Sequence, residues 1–309
     1  MRVVSLLPAA TEMVCLVGAC DTLVGVTHEC DHPPEVRRLP RLTASGIDHR
    51  RMTSAEVDAA VRRITDEASL YSLDAGLLRE LEPDLVITQG LCEVCAVSPG
   101  VVERAISTLP RRPEVLSLDP SSLEEVISDL VRVGEALGRG REAREKAGSL
   151  RQRLRRVARA VEGLPRMRVA CLEWLDPPYS AGHWVPEMVA LAGGEPLLAA
   201  PGEPSRRMGW EEVVGAAPDA VVLMPCGFDV RRTLREAGLL AKVPGWEDVP
   251  AVREGRVWAV DANAYFSRPG PRLVRGVELL AALLHPGALP TGPRPGEATR
   301  LAREVFAAR

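Results

Sequence analysis

From Arg141 to Val161, near the middle of the chain, apolar residues stand at Ala143, Ala147, Leu150, Leu154, Val157, Ala158 and Val161, with Arg and Glu crowding the positions between. Spacing by threes and fours puts them on one stripe of an α-helix. Gly140 precedes the run and Gly163 to Pro165 end it, so at about 1.5 Å per residue the rod is roughly 30 Å long. A charged rod with a narrow apolar stripe needs a partner for that stripe, and the rest of the chain has to be arranged on it.

The flanks of the rod resemble each other. Glu82-Pro83-Asp84-Leu85-Val86-Ile87-Thr88 before it matches Ala217-Pro218-Asp219-Ala220-Val221-Val222-Leu223 after it. Arg2-Val3-Val4-Ser5-Leu6 likewise matches Arg168-Val169-Ala170-Cys171-Leu172, and both lead into helices closed by glycine, at Gly18 and at Gly193-Gly194. This weak repeat predicts two similar α/β halves joined by a helix, with residues 1–138, 139–165 and 166–309 as first lobe, bridge and second lobe. The alternative is two unrelated runs of common α/β vocabulary. Strands and helices alternate in both halves, which predicts mainly parallel sheets. Ser121-Ser122-Leu123-Glu124 has the shape of a capping box and predicts a helix over 123–137. The charged stretch from Arg37 to Ser72 yields only a helix over Ser54 to Asp66 and no role.

With 46% hydrophobic residues among 309, each half can bury a core, and a net charge of −3 gives no reason to expect nucleic acid or an anionic membrane as partner. No apolar stretch is long enough to span a bilayer. Arg2 follows Met1 directly and no secretory signal is recognisable, so the sequence as written predicts a cytoplasmic protein, or an extracytoplasmic one if the gene starts further upstream. Seven cysteines in a chain of this length do not resemble a secreted disulfide framework.

Open parallel sheets bind ligands outside the carboxyl ends of their strands. Cys30, Cys92, Cys95 and Cys226 follow predicted strand ends, and His28 and His32 share the loop of Cys30. Three readings fit: a soft-metal or thiol site built from His28, Cys30, His32, Cys92 and Cys95; a redox pair at Cys92 and Cys95; or small polarisable side chains lining a pocket. Cys15, Cys20 and Cys171 are expected as buried small residues. Aromatic residues make up only 4% of the chain, yet Trp174, Tyr179 and Trp184 fall close together beside His183, and Tyr265 and Phe266 follow the last strand. Such groups suit a pocket for a flat or large organic ligand, and packing at the bases of loops is the alternative. Arg268 and Arg272 are either partners for an anion or solvated flank charges.

The stretches Arg2 to Glu12, Val24-Gly25-Val26-Thr27 with Asp31-His32-Pro33-Pro34-Glu35, and Leu81 to Val86 closely resemble the class III substrate-binding proteins of ABC importers. Asp176 to Gly182, Leu191 to Gly194 and Tyr265 to Arg272 look most like the cobalamin-binding members, and the resemblance spans residues 2 to 285. It implies two Rossmann-like lobes bridged by a rigid helix. It also implies a ligand in the cleft, touched by the His28 to His32 loop, Trp174, Tyr179, His183 and Phe266. Permease docking through an acidic residue on each lobe would use Glu211, but the other position falls at Gly76. Cys30 and Cys92-x-x-Cys95 depart from the usual pattern.

The resulting expectation is non-catalytic binding of cobalamin or a related corrinoid between the lobes, with no resident cofactor beyond a candidate metal ion. Two alternatives stand beside it: an iron-chelate or metal-ion component of an ABC importer, and a cytoplasmic thiol- or metal-dependent enzyme. The enzyme ranks last because spacing alone pairs no nucleophile with a base.

Overall fold

The computed structural model describes residues 1–48, 51–67, 70–90 and 97–306. In the N-terminal lobe β1 (Val3–Ser5) runs into α1 (Pro8–Leu16), with Pro8 at its first turn, and then β2 (Leu23–Val26) follows. An excursion comes next: β3 (Thr43–Ser45), α2 (Ser54–Glu67) and β4 (Tyr71–Leu73), the two strands pairing antiparallel. Then come α3 (Ala75–Leu81), β5 (Leu85–Thr88), α4 (Pro99–Ser107), β6 (Glu114–Ser117) and α5 (Leu123–Ala136). Ser122 caps α5, accepting from the Glu125 N–H, one residue on from the Ser121 to Glu124 box read in the sequence. Among the described residues the lobe's main sheet has the order β2-β1-β5-β6, all parallel.

The bridging helix α6 covers Gly140–Val161, and the buried part of its stripe is Ala143, Ala147, Leu150, Val157 and Val161. The C-terminal lobe holds β7 (Met167–Leu175), β8 (Pro178–Ser180), α7 (Val185–Leu191), β9 (Gly194–Leu197) and α8 (Trp210–Gly215). It continues with β10 (Ala220–Leu223), α9 (Val230–Glu236), α10 (Pro250–Arg253), β11 (Val257–Val260), α11 (Ala262–Tyr265), α12 (Leu273–Leu284) and β12 (Ala298–Arg300). The strands β9, β7, β10 and β11 run parallel, while β8 and β12 are antiparallel additions. The tail adds β12 and then a single 3-10 turn over Arg303–Val305.

The two lobes share one core. Val3 and Ile87 of the first sheet, Leu130 of α5, Ala143 and Val157 of α6, Val169 and Val222 of the second sheet and Leu280 of α12 belong to a single contiguous apolar cluster. The stripe of α6 is therefore buried against both lobes at once, and Arg153 of α6 grips Glu278 of α12 through two bonds of 2.8 and 2.9 Å. Tying both lobes to one rod by burial and by a two-bonded ion pair leaves little freedom for a hinge.

Candidate functional site

All strands of the main N-terminal sheet are parallel, so the loops after β1 and β2 leave from one edge. The loops after β7, β10 and β11 leave the corresponding edge of the other sheet. These two sets of loops meet. At the base of the junction Arg272 binds both oxygens of Glu12, at 2.9 and 2.5 Å, and Arg268 binds Asp31 at 2.5 Å and the Glu29 carbonyl at 2.9 Å. The Asn263 amide adds a bond of 3.2 Å to Asp31, and Glu12 is only 5% exposed. Burial alone would raise the Asp31 carboxyl, but the Arg268 hydrogen bond and charge, with Arg272 behind it, hold it below the usual carboxylate range. Both arginines named from sequence thus serve the joint between the lobes, neither solvated nor waiting for an anion.

Above this base the cleft is occupied by α2. The Trp174 indole N–H donates to the Ser54 carbonyl at 3.1 Å, and the Tyr179 hydroxyl lies 3.2 Å from Asp58 Oδ1. Arg232 donates to the Met52 carbonyl at 2.6 Å, and the Ser54 N–H and hydroxyl both donate to the Glu236 carboxylate, the first at 3.0 Å. Ser54 opens the helix, so a carboxylate from the opposite lobe satisfies one of its orphan N–H groups. Val57, Met52, Ala60 and Ile64 share one apolar cluster with Tyr71 and Trp174. Trp174 also meets Phe228, ring centroids 5.1 Å apart, and the Arg232 guanidinium sits 4.2 Å from the Phe228 centroid.

The cavity between Leu6, Pro8, Thr27, His28, Glu29, Thr43, Tyr71 and Val97 holds about 20 Å³. That is room for about one water molecule, whereas pockets for organic ligands span about 300–1,000 Å³. A larger open groove of about 480 Å³, between Arg253, Gly255, Arg300 and Arg303, lies at the amino end of β11, opposite the edge where the lobes meet. It takes no part in the site.

The residues named from sequence divide into those that reach this junction and those that do not. Trp174 and Tyr179 reach it, placed by the β7–β8 hairpin where the sequence suggested an open loop. His28 is half-buried, 2.7 Å from the Thr43 hydroxyl and 5.6 Å from the Tyr71 ring. His183 is half-buried with φ 54°, its ring 5.5 Å from Trp184, and burial lowers its imidazole pKa. Cys226 is half-buried in the loop after β10, and Tyr265 closes α11 with its ring 5.9 Å from the Arg272 guanidinium. Trp184 and Phe266 are corrected: they are 6% and 2% exposed, members of the shared core, and the Trp184 indole N–H donates to the Phe266 carbonyl at 2.8 Å. Packing beneath the loops, the alternative given above, describes these two.

Cys30 is 1% exposed, its sulfur 3.1 Å from the Thr11 hydroxyl and 3.2 Å from that of Thr27, and burial pushes its thiol up. His32 is exposed. Among the described residues no group of three or more His, Cys, Asp or Glu can hold a metal ion. His28-Glu29-x-x-His32 has the spacing of a zinc motif that sequence reasoning missed, but that motif needs a helix to bring its two imidazoles to one face, and this stretch is a turn. Cys92 and Cys95 lie outside the described residues. Cys171 is buried in β7 as expected, its thiol pushed up to about 12 by burial, but Cys15 and Cys20 are joined in a disulfide. That bond ties the end of α1 to the turn before β2, a closeness their five-residue separation permits. Glu211 is exposed in the first turn of α8, and Gly76 is exposed at the start of α3.

Sequence reasoning missed Tyr71, Phe228, Arg232 and Glu236. Phe228 follows the end of β10 by five residues, the placement that singled out Cys226, so the same rule would have found it. Tyr71 sits on a strand of the excursion, where no strand was expected.

A family model described as "Periplasmic binding protein" matches residues 3–264. The uncharacterised ABC transporter substrate-binding lipoprotein YvrC of Bacillus subtilis is 24% identical, the match covering 92% of this chain and 80% of that protein. A vitamin B12-binding protein of Vibrio cholerae is 23% identical over 92% of this chain and 88% of its own length. Among solved structures, a periplasmic heme-binding protein from Pseudomonas aeruginosa superposes with a TM-score of 0.70 at 25% identity, covering 97% of this chain and 99% of that one. The vitamin B12-binding protein BtuF of Vibrio cholerae gives 0.68 at 20%, covering 92% and 96%. The cytoplasmic expectation is thereby overturned, because the matching model describes periplasmic proteins and the Bacillus relative is a lipoprotein. The Cys15–Cys20 disulfide agrees with the correction, since such bonds persist in oxidising compartments.

Proposed function

The chain belongs to the periplasmic binding protein family, and on that premise we propose that it binds cobalamin or a related corrinoid, without catalysis, as the substrate-binding component of an ABC importer. The observation that carries the reading is the aromatic lining of the junction, where Trp174 beside Phe228 in one lobe and Tyr71 beside His28 in the other share one apolar cluster with α2 through Trp174 and Tyr71. A flat macrocycle between two such walls would gain apolar burial and ring contacts on both faces. His28, Tyr71, Trp174, Tyr179, Phe228 and Arg232 are the residues proposed to touch it, with His183, Cys226 and Tyr265 at the margin. The near full-length likeness to vitamin B12-binding proteins supports the corrinoid. Capture by an ABC permease, with Glu211 as one docking residue, belongs to the same proposal.

A second reading, a haem or other iron chelate as ligand, is favoured by the likeness to the Pseudomonas heme-binding protein, and the Arg232 guanidinium would suit a propionate. Titration of the purified protein with cyanocobalamin and with haemin, followed by absorbance and calorimetry, tests both. Saturable one-to-one binding of cyanocobalamin supports the corrinoid, and binding of haemin alone transfers the proposal to the chelate. Absence of heat and spectral change with either removes both.

A further inference from the structure

We propose that α2 is a gate: it bridges the junction between the lobes, latched to the C-terminal lobe, and the ligand enters by displacing it. The proposal rests on the binding reading given above and adds how that site is regulated.

Three observations carry it. The first is space, since the cavity of about 20 Å³ beside His28 and Tyr71 is too small for an organic ligand, and α2 shares an apolar cluster with Tyr71 of this lobe and Trp174 of the other. The second is the character of the contacts. Among the described residues the apolar cluster around α2 is small, its buried members being Ile47, Val57 and Leu70, and it is separate from the core shared by the lobes. By contrast, the helix is tied to the opposite lobe through Trp174, Tyr179, Arg232 and Glu236. An element held by polar bonds and little apolar area is drawn from the low-stability end of a fold and opens without the rest unfolding. The third is that these bonds are exchangeable. Trp174 and Tyr179 give their donors to α2 and Arg232 gives one to the Met52 carbonyl just before it, and all three would be released to a ligand carrying acceptor groups around an apolar ring.

Local order makes the gate a unit. Thr53 and Glu56 form a capping box, the Thr53 N–H donating to the Glu56 carboxylate at 2.7 Å and the Glu56 N–H to the Thr53 hydroxyl at 3.3 Å. With its first turn closed by its own residues, α2 can leave the Glu236 carboxylate and remain a helix. The closed state lowers apparent affinity by the fraction of molecules with the gate open, so weakening the latch raises affinity and association rate together.

The test compares the wild type with a Glu236→Ala, Asp58→Ala double variant, neither position being proposed to touch ligand. Hydrogen exchange of the ligand-free proteins is read by peptide, and stopped-flow association is measured with cyanocobalamin and with haemin. The gate predicts that amides of 54–64 exchange together and before those of β1, β5, β7 and β10. In the variant their exchange and the association rate both rise about tenfold or more, because bonds to a carboxylate are lost. An association rate unchanged while exchange in α2 has risen overturns the gate, as does an α2 that exchanges in the wild type only along with the sheets. If neither probe binds either protein, the binding reading fails, and exchange alone decides the gate: opening of α2 before the sheets sustains it, and opening only with them removes it.

Discussion

Arg272 holds both carboxylate oxygens of Glu12, a residue 260 positions away on the other lobe, and Glu12 is almost wholly buried. This pair and the Arg268–Asp31 pair beside it join α1 and the loop after β2 to the segment between α11 and α12. Taking one partner from a buried pair strands the other charge, which costs far more than the intact pair contributes. Glu12→Gln is therefore expected to lower unfolding free energy by roughly 3 kcal/mol in urea denaturation. Glu12→Met with Arg272→Met recovers most of that loss. A loss in the double variant equal to the sum of the losses in Glu12→Met and Arg272→Met alone would show that the charges act independently.

Asp31 makes the same joint sensitive to acid. Its folded carboxyl lies below its ordinary value, so its contribution is complete above the unfolded pKa of about 4 and is lost as pH falls through the lower folded value. Urea midpoints of the wild type and of Asp31→Asn, compared at pH 6 and through the range below pH 4, should differ most at pH 6 and converge as acid protonates Asp31. A difference that does not shrink at low pH would mean that the residue acts by shape alone.

Two glycines on adjoining helices should respond in opposite directions. A Cβ at Gly134 of α5 would lie 2.2 Å from the Ala143 Cβ of α6, so the helices would have to separate along the seam that carries the shared core. Overpacking of this kind costs about 1–3 kcal/mol and outweighs the gain of up to about 1 kcal/mol in helix propensity. Gly134→Ala is expected to be destabilising. At Gly148 of α6, exposed and with nothing within 4 Å of the added atom, only the propensity acts, and Gly148→Ala should raise the melting temperature. Thermal unfolding of both variants checks the signs.

What could be foreseen from sequence follows the same physics. The stripe of α6 was legible because periodicity reports burial directly, and Ala143, Ala147, Leu150, Val157 and Val161 are indeed buried. The mainly parallel character of the sheets was implied by strand and helix alternation. The cross-lobe partners were not legible. Glu12 and Arg272, or Ser54 and Glu236, are joined only once two lobes are docked, and no local pattern encodes a contact between residues so far apart. The excursion over β3, α2 and β4 stayed opaque for a related reason. Its strands are three residues each, too short for a period of two to register, and its helix takes its apolar partners from both lobes. Trp184 and Phe266 show the reverse error, because clustered aromatics can line a pocket or fill a core, and only burial distinguishes the two.

The cysteines offer a test of the whole arrangement in one experiment. Native protein treated with iodoacetamide at pH 8 without reductant should be labelled at Cys226, which is partly exposed, and spared at Cys30 and Cys171, which are buried. Thiolate is the reactive form, so a Cys171 thiol pushed up to about 12 is doubly protected, by access and by proton. Cys30, raised by burial and held between Thr11 and Thr27, follows it. Denaturation without reductant should add label at Cys30 and Cys171 but not at Cys15 or Cys20, which accept it only after reduction. Closing so short a loop restricts the unfolded chain modestly, so reduction should cost roughly 2 kcal/mol of stability. Peptide mass spectrometry reads each position separately. Label at Cys15 or Cys20 before reduction would dissolve the bond between α1 and β2, and with it one support for an oxidising location.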